Sequence, residues 1–133
     1  MQEIRGKIHA RERAKQLRDF SGLRYGNITA TDVDGLIEYH GKGYIFIEVK
    51  LNDALLPYGQ KLAFERLVDD LKKPAICIIA SHDVDNPNKD INVAHALVSE
   101  YRFKGNWLVP KSEYTVRALI DLFIDKVLGG NLE

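Results

Sequence analysis

A chain of 133 residues, 45% hydrophobic and 29% charged, has room for one hydrophobic core and is small for an enzyme carrying its own specificity module. Its 19 Lys and Arg balance 19 Asp and Glu, so no global excess of cations is available to drive binding to a polyanion. No apolar run approaches the ~18 residues of a membrane span. The single cysteine, Cys77, excludes an intrachain disulfide, and Met1–Arg5 holds no apolar signal core, which together imply a cytoplasmic protein in a reducing compartment.

Charge is unevenly spread. Residues 1–18 carry Arg5, Lys7, Arg11, Arg13, Lys15 and Arg18 against Glu3 and Glu12, a net +4 that leaves −4 for the remainder. Within residues 8–20, Ala10, Ala14 and Leu17 recur at helical steps, predicting a helix with charge on its other faces and its end at Gly22 and Gly26. Such a basic segment is either a solvated helix face or a surface for a nucleic-acid backbone. Residues 28–39 and 43–50 read as strands, the second rich in aromatic and β-branched residues from Tyr44 to Val49.

Residues 57–72 read as a helix with an apolar stripe of Ala63, Phe64, Leu67, Val68 and Leu71, stopped by Pro74. Ala75–Ala80 is wholly apolar, the pattern of a strand buried on both faces. A polar loop follows over Ser81–Lys89. Residues 91–109 read as strand, because Tyr101, Phe103, Trp107 and Val109 fall on alternate positions around Gly105-Asn106; Tyr101 and Trp107 read as core filling rather than as platforms for a base. The last element is a helix over 114–128, with Val116, Leu119, Ile120, Phe123 and Val127 on one face and Gly129-Gly130 at its end. Ile124 and Leu128, on its flank, are candidate interface residues. The order describes a single α/β domain over residues 1–133.

Chemistry concentrates in the first two strands. Asp34 is followed fourteen positions later by Glu48-Val49-Lys50. Alternation puts Glu48 and Lys50 on one face and Ile45, Ile47 and Val49 on the other. If the numbers of paired residues total 83, Asp34 falls opposite in face to Glu48. If they total 82 or 84, Asp34 joins Glu48 and Lys50, while Val33 and Ile37 join the isoleucines. Both the acid pair and the apolar face choose the even total, which demands an odd-length loop or a bulge. His40-Gly41-Lys42-Gly43 can supply one, because a three-residue hairpin loop needs positive φ, where glycine costs least. Two carboxylates and a backbone carbonyl suit a hard divalent cation that keeps several waters, and an adjacent ammonium suits charge developing on a phosphate. Asp32, two before Asp34, either supplements this face or simply starts the strand; Asp53 reads as a turn cap. His82-Asp83 reads as a loop pair, and His9, His40 and His95 lack zinc-ligand spacing.

Asp34-Gly35…Glu48-Val49-Lys50 resembles the PD-(D/E)xK nuclease superfamily, with Val33 where the family's proline stands. The resemblance implies a restriction-endonuclease-like αβββαβ core over about 8–81, with a C-terminal strand and helix elaboration over about 90–133. It implies Mg²⁺ or Mn²⁺ held by Asp34, Glu48 and the Val49 carbonyl, with Lys50 as the catalytic lysine. Glu12 resembles the helix acid with which resolvase-like members complete the metal shell, and Gln60 a glutamine that exonuclease-like members place beside the site. Arg5, Lys7, Arg11, Arg13, Lys15 and Arg18 would meet the DNA backbone. The expected substrate is DNA, branched or single-stranded, in phage or bacterial recombination or repair, and the small neutral chain implies a homodimer or a partner protein. The competing class is a non-catalytic nucleic-acid-binding or assembly module that keeps the fold.

Overall fold

The computed structural model describes residues 5–7, 16–52 and 54–130. The chain falls into two compact units, Met1–Asp32 and Val33–Glu133. In the first, residues 16–20 are exposed and not helical, so the end of the expected 8–20 helix is corrected; residues 8–15 lie outside the described residues. Its local order is short-range. Tyr25 and Ile28 exchange backbone hydrogen bonds of 2.8 and 3.0 Å, and the Ser21 hydroxyl and N–H both donate to Asp19 Oδ1, at 2.6 and 3.1 Å. These bonds lower the Asp19 carboxyl from its ordinary value, the hydroxyl contributing most.

The second unit is built on a five-stranded mixed sheet in the order β1-β2-β3-β4-β5. β1 (Gly35–Tyr39) and β2 (Gly43–Leu51) form an antiparallel hairpin, and helix α1 (Tyr58–Asp70) crosses over to β3 (Ala75–His82), parallel to β2. A 3-10 turn at Val93–His95 leads to β4 (Leu97–Phe103) and β5 (Asn106–Leu108), both antiparallel additions, and α2 (Val116–Lys126) closes the chain. Among the described residues two strands, not three, precede α1. Residues 28–34 do not extend β1 as expected, because the Asp34 carboxylate, rather than a backbone carbonyl, takes the Val49 N–H at 2.8 Å. The ladder ends there.

Both faces of the sheet are covered, which explains the apolar run of β3, buried throughout Ala75–Ala80. On one face Ile45, Ile47, Ile76, Ile78 and Ala80 pack against Val116, Leu119, Ile120, Phe123 and Ile124 of α2. Ile124 is therefore core rather than interface, and Leu128 packs against the same cluster. On the other face Phe46, Ala75, Cys77 and Ile79 pack against Phe64 and Val68 of α1. The α1 stripe is narrower than its spacing suggested, since Leu67 is 39% exposed. α2 is capped by Thr115 Oγ1, which accepts from the Ala118 N–H at 3.1 Å, and it ends where Gly129 turns to φ 63°. The two-residue turn Lys104–Gly105 pairs Arg102 with Trp107, so Trp107 faces α1 while Tyr101 and Phe103 face α2. Arg102 makes a forked ion pair with Asp69, Nε–Oδ1 3.1 Å and Nη2–Oδ2 2.5 Å, and Trp107 Nε1 donates to Glu65 Oε1 at 2.7 Å. Together they pin α1 across the far strands. Among the described residues no helix is long and apolar enough to cross a membrane.

Gly43 is buried where β2 leaves the hairpin, and an added Cβ would sit 2.6 Å from Leu128 Cδ2 and 2.8 Å from the Pro74 carbonyl oxygen. The leucine can move; the carbonyl, which accepts the Tyr44 N–H at 3.0 Å, cannot. Gly43→Ala is expected to destabilise the fold by about 1–3 kcal/mol. Gly59→Ala, in open space on α1, is expected to be neutral or stabilising by up to ~1 kcal/mol. Urea midpoints of the two variants check this, and equal midpoints would contradict the packing.

Candidate metal and phosphodiester site

The hairpin has the even register that its alternation and its loop length predict. Gly35 pairs with Ile47, Leu36 with Phe46 and Ile37 with Ile45, so paired numbers total 82. The loop is the three residues His40, Gly41 and Lys42, with positive φ at His40 (49°) and Gly41 (68°). It is closed by the Lys42 N–H on the Tyr39 carbonyl at 2.8 Å, and Glu38 accepts the Gly41 N–H. One step before Gly35, Asp34 leaves the ladder, accepts the Val49 N–H on its carboxylate and lies near enough to Glu48 for its charge to act there. Val49 turns its N–H to Asp34, and since one strand residue presents its N–H and C=O to the same side, the Val49 carbonyl lies on that edge too.

Glu48 is the one charged residue in the core of the described chain, 3% exposed on the central part of β2. Its Oε1 is 3.3 Å from Lys50 Nζ, whose side chain remains 24% exposed. Its Oε2 has no hydrogen-bond partner. Burial pushes the Glu48 carboxyl above its usual range, and the neighbouring charge of Asp34 adds to that; the Lys50 hydrogen bond and charge, then the Gln60 side chain, pull the other way. Gln60, in the first turn of α1, is thus beside the carboxylate, although β2 and α1 are separated by a loop. A buried carboxylate oxygen without a partner is costly. A cation satisfies it directly, and the chemistry of the donors, two carboxylates and one carbonyl, suits Mg²⁺ or Mn²⁺ with water completing the shell. Among the described residues no cluster of three or more His, Cys, Asp or Glu could hold a metal, so the remaining ligands would be water.

The structure therefore brings together Asp34, Glu48, Val49, Lys50 and Gln60. Arg5, Lys7 and Arg18 are exposed in the first unit, while Glu12, Arg11, Arg13, Lys15 and Asp53 lie outside the described residues. Asp32 is exposed and outside any strand. Cys77 is buried, and its thiol is pushed up to about 12, mainly by burial and then by the charges of Glu48 and Glu100; it is inert at neutral pH. Sequence reading passed over Glu100 and Lys61, which pair at 2.7 Å on the same face of the sheet. Their only signal in the sequence is the polar alternation of Glu100 and Arg102 within an aromatic-rich segment. Comparison with protein-family models, with curated proteins and with solved structures returns no match.

The raised Glu48 carboxyl has a pH signature. The folded state favours its protonated form, so its contribution is most favourable below the ordinary carboxylate range and is lost as pH rises through the raised folded value. In EDTA, Glu48→Gln should gain stability relative to wild type as pH climbs from the ordinary carboxylate range towards neutrality. Urea titrations at several pH values read this slope; a difference that does not change with pH would contradict the burial of a titrating carboxylate.

Proposed function

We propose that this protein is a Mg²⁺- or Mn²⁺-dependent deoxyribonuclease that hydrolyses phosphodiester bonds, with a PD-(D/E)xK-type site on a restriction-endonuclease-like fold. One observation carries the reading. A buried glutamate with an unpartnered oxygen sits close enough to Asp34 to feel its charge and 3.3 Å from a lysine that reaches solvent. A merely solvated acid pair would have no reason to bury one member at this cost.

A divalent cation held by Asp34, Glu48 and the Val49 carbonyl would neutralise phosphate charge and acidify a water. Asp34 is oriented for this by the Val49 N–H, which fixes one of its oxygens and leaves the other to face the ligand. Lys50, tethered by Glu48, presents its ammonium to the charge that grows on the phosphate as water attacks phosphorus and the ester P–O bond breaks. Lys50 and, less strongly, Gln60 favour the charged form of Glu48 against its burial. Positioning rather than covalent chemistry supplies the rate. The basic residues Arg5, Lys7, Arg11, Arg13, Lys15 and Arg18 are the proposed contacts to the DNA backbone, and a second copy or a partner protein extends the small footprint. Recombination or repair is the setting that the resemblance implies.

The test is cleavage of labelled single-stranded, duplex, flap and four-way-junction DNA in Mg²⁺, Mn²⁺ and EDTA. Cutting should require metal, and Lys50→Ala should slow it by about 10²–10³-fold. Mn²⁺ at a hundred times its dissociation constant should stabilise the wild type by about 2.7 kcal/mol, and Asp34→Ala should lose the shift. No cutting of any substrate in either metal would sink the reading and favour a non-catalytic binding module.

A further inference from the structure

Beyond Lys50, on the same face of the sheet, lies a cavity of about 250 Å³ that the mechanism does not use. Lys50, Leu55, Leu56, Lys61, Ile79 and Glu100 line it. Its place follows from register: Ile79 pairs with Glu48 on β2 and with Glu100 on β4, so the apolar floor separates two carboxylates that each hold a lysine. Lys61 Nζ is 2.7 Å from Glu100 Oε1 and 4.7 Å from the centre of the Trp107 ring. Leu55, at the rim, is 92% exposed. The volume falls just below the ~300–1,000 Å³ of pockets for drug-sized ligands, which suits one heterocycle rather than two stacked ones.

The lining has apolar surface for a flat ring and two lysines, of which Lys50 is held by Glu48 while Lys61 stands side by side with the one carboxylate of the wall, Glu100. A carboxylate has about four lone-pair sites and an ammonium three donors, so the Lys61–Glu100 pair keeps capacity for a ligand edge. Among the DNA bases, guanine alone carries two adjacent donors, N1–H and N2–H, beside an acceptor, O6. A carboxylate takes both donors in parallel while the ammonium meets O6. That edge is occupied in a duplex, so the base must be unpaired. We propose that this cavity receives an unpaired guanine of single-stranded DNA, read by Glu100 and Lys61. Its position next to the scissile phosphate rests on the nuclease reading; the base recognition does not.

The probes are fluorescent oligothymidylates carrying one central deoxyguanosine, deoxyinosine, deoxyadenosine or abasic residue, with binding followed by anisotropy in EDTA. The deoxyguanosine probe should bind about tenfold tighter than the deoxyinosine probe, which lacks the N2 amine, and than the abasic one. Glu100→Gln and Lys61→Ala should each erase the difference between the deoxyguanosine and deoxyinosine probes, both probes being measured on the same variant. The inosine comparison uses the intact protein, so it decides the matter even if a variant fails to fold. Equal binding of guanosine, inosine and abasic probes would overturn the proposal. The same oligonucleotides incubated with Mn²⁺ separate the two readings. Cutting without guanine preference removes the pocket and keeps the nuclease; guanine-selective binding without cutting does the reverse.

Discussion

The pairing register of the first hairpin is the constraint on which the rest depends. Three loop residues, two of them at positive φ, force paired numbers to total 82. With that register, Ile37 and Tyr39 join Ile45 and Ile47 on the face that α2 covers, and Asp34, just outside the ladder, comes near Glu48. A slip of one residue would reverse every side chain of β1. It would expose the isoleucine face and part the two acids in one stroke. Core and site therefore select the same register, and neither can be altered without the other.

β2 bears the consequence. It lies between β1 and β3 with helices on both faces, and every residue from Ile45 to Glu48 is buried. A carboxylate there is tolerated because two partners limit its cost: Lys50 along the strand and Gln60 from α1. The position of Gln60 is itself set at a distance. Arg102, Asp69, Glu65 and Trp107 fasten the middle and end of α1 to β4 and β5, roughly one to two turns from Gln60 and Lys61. The C-terminal strands thus fix the angle at which the first turn of α1 meets Glu48.

Charge is set apart in this chain by place rather than by amount. A chain of zero net charge concentrates paired acids and lysines on one face: Glu48 with Lys50 and Glu100 with Lys61, separated by Ile79. The first pair adjoins Asp34 and an unpartnered oxygen, the chemistry of a cation. The second adjoins an apolar cavity, the chemistry of a ring. Both lysines are held by a carboxylate and so need little ordering when a ligand arrives.

From its sequence alone, this protein's local order was legible wherever periodicity was strong and a turn residue marked the end. The hairpin and its odd loop, α1, the doubly buried β3 and the face of α2 all follow from alternation, helical spacing and glycines that needed positive φ. The trio Asp34, Glu48 and Lys50 was legible for the same reason, since strand alternation and loop length are local. Contacts between distant segments were not. That Ile124 is core, that β1 begins only after Asp34, that Trp107 turns from its aromatic neighbours towards α1, and that Glu100 faces Lys61 depend on which strands become neighbours. Those choices are made by the summed burial of two faces, and no single segment encodes them.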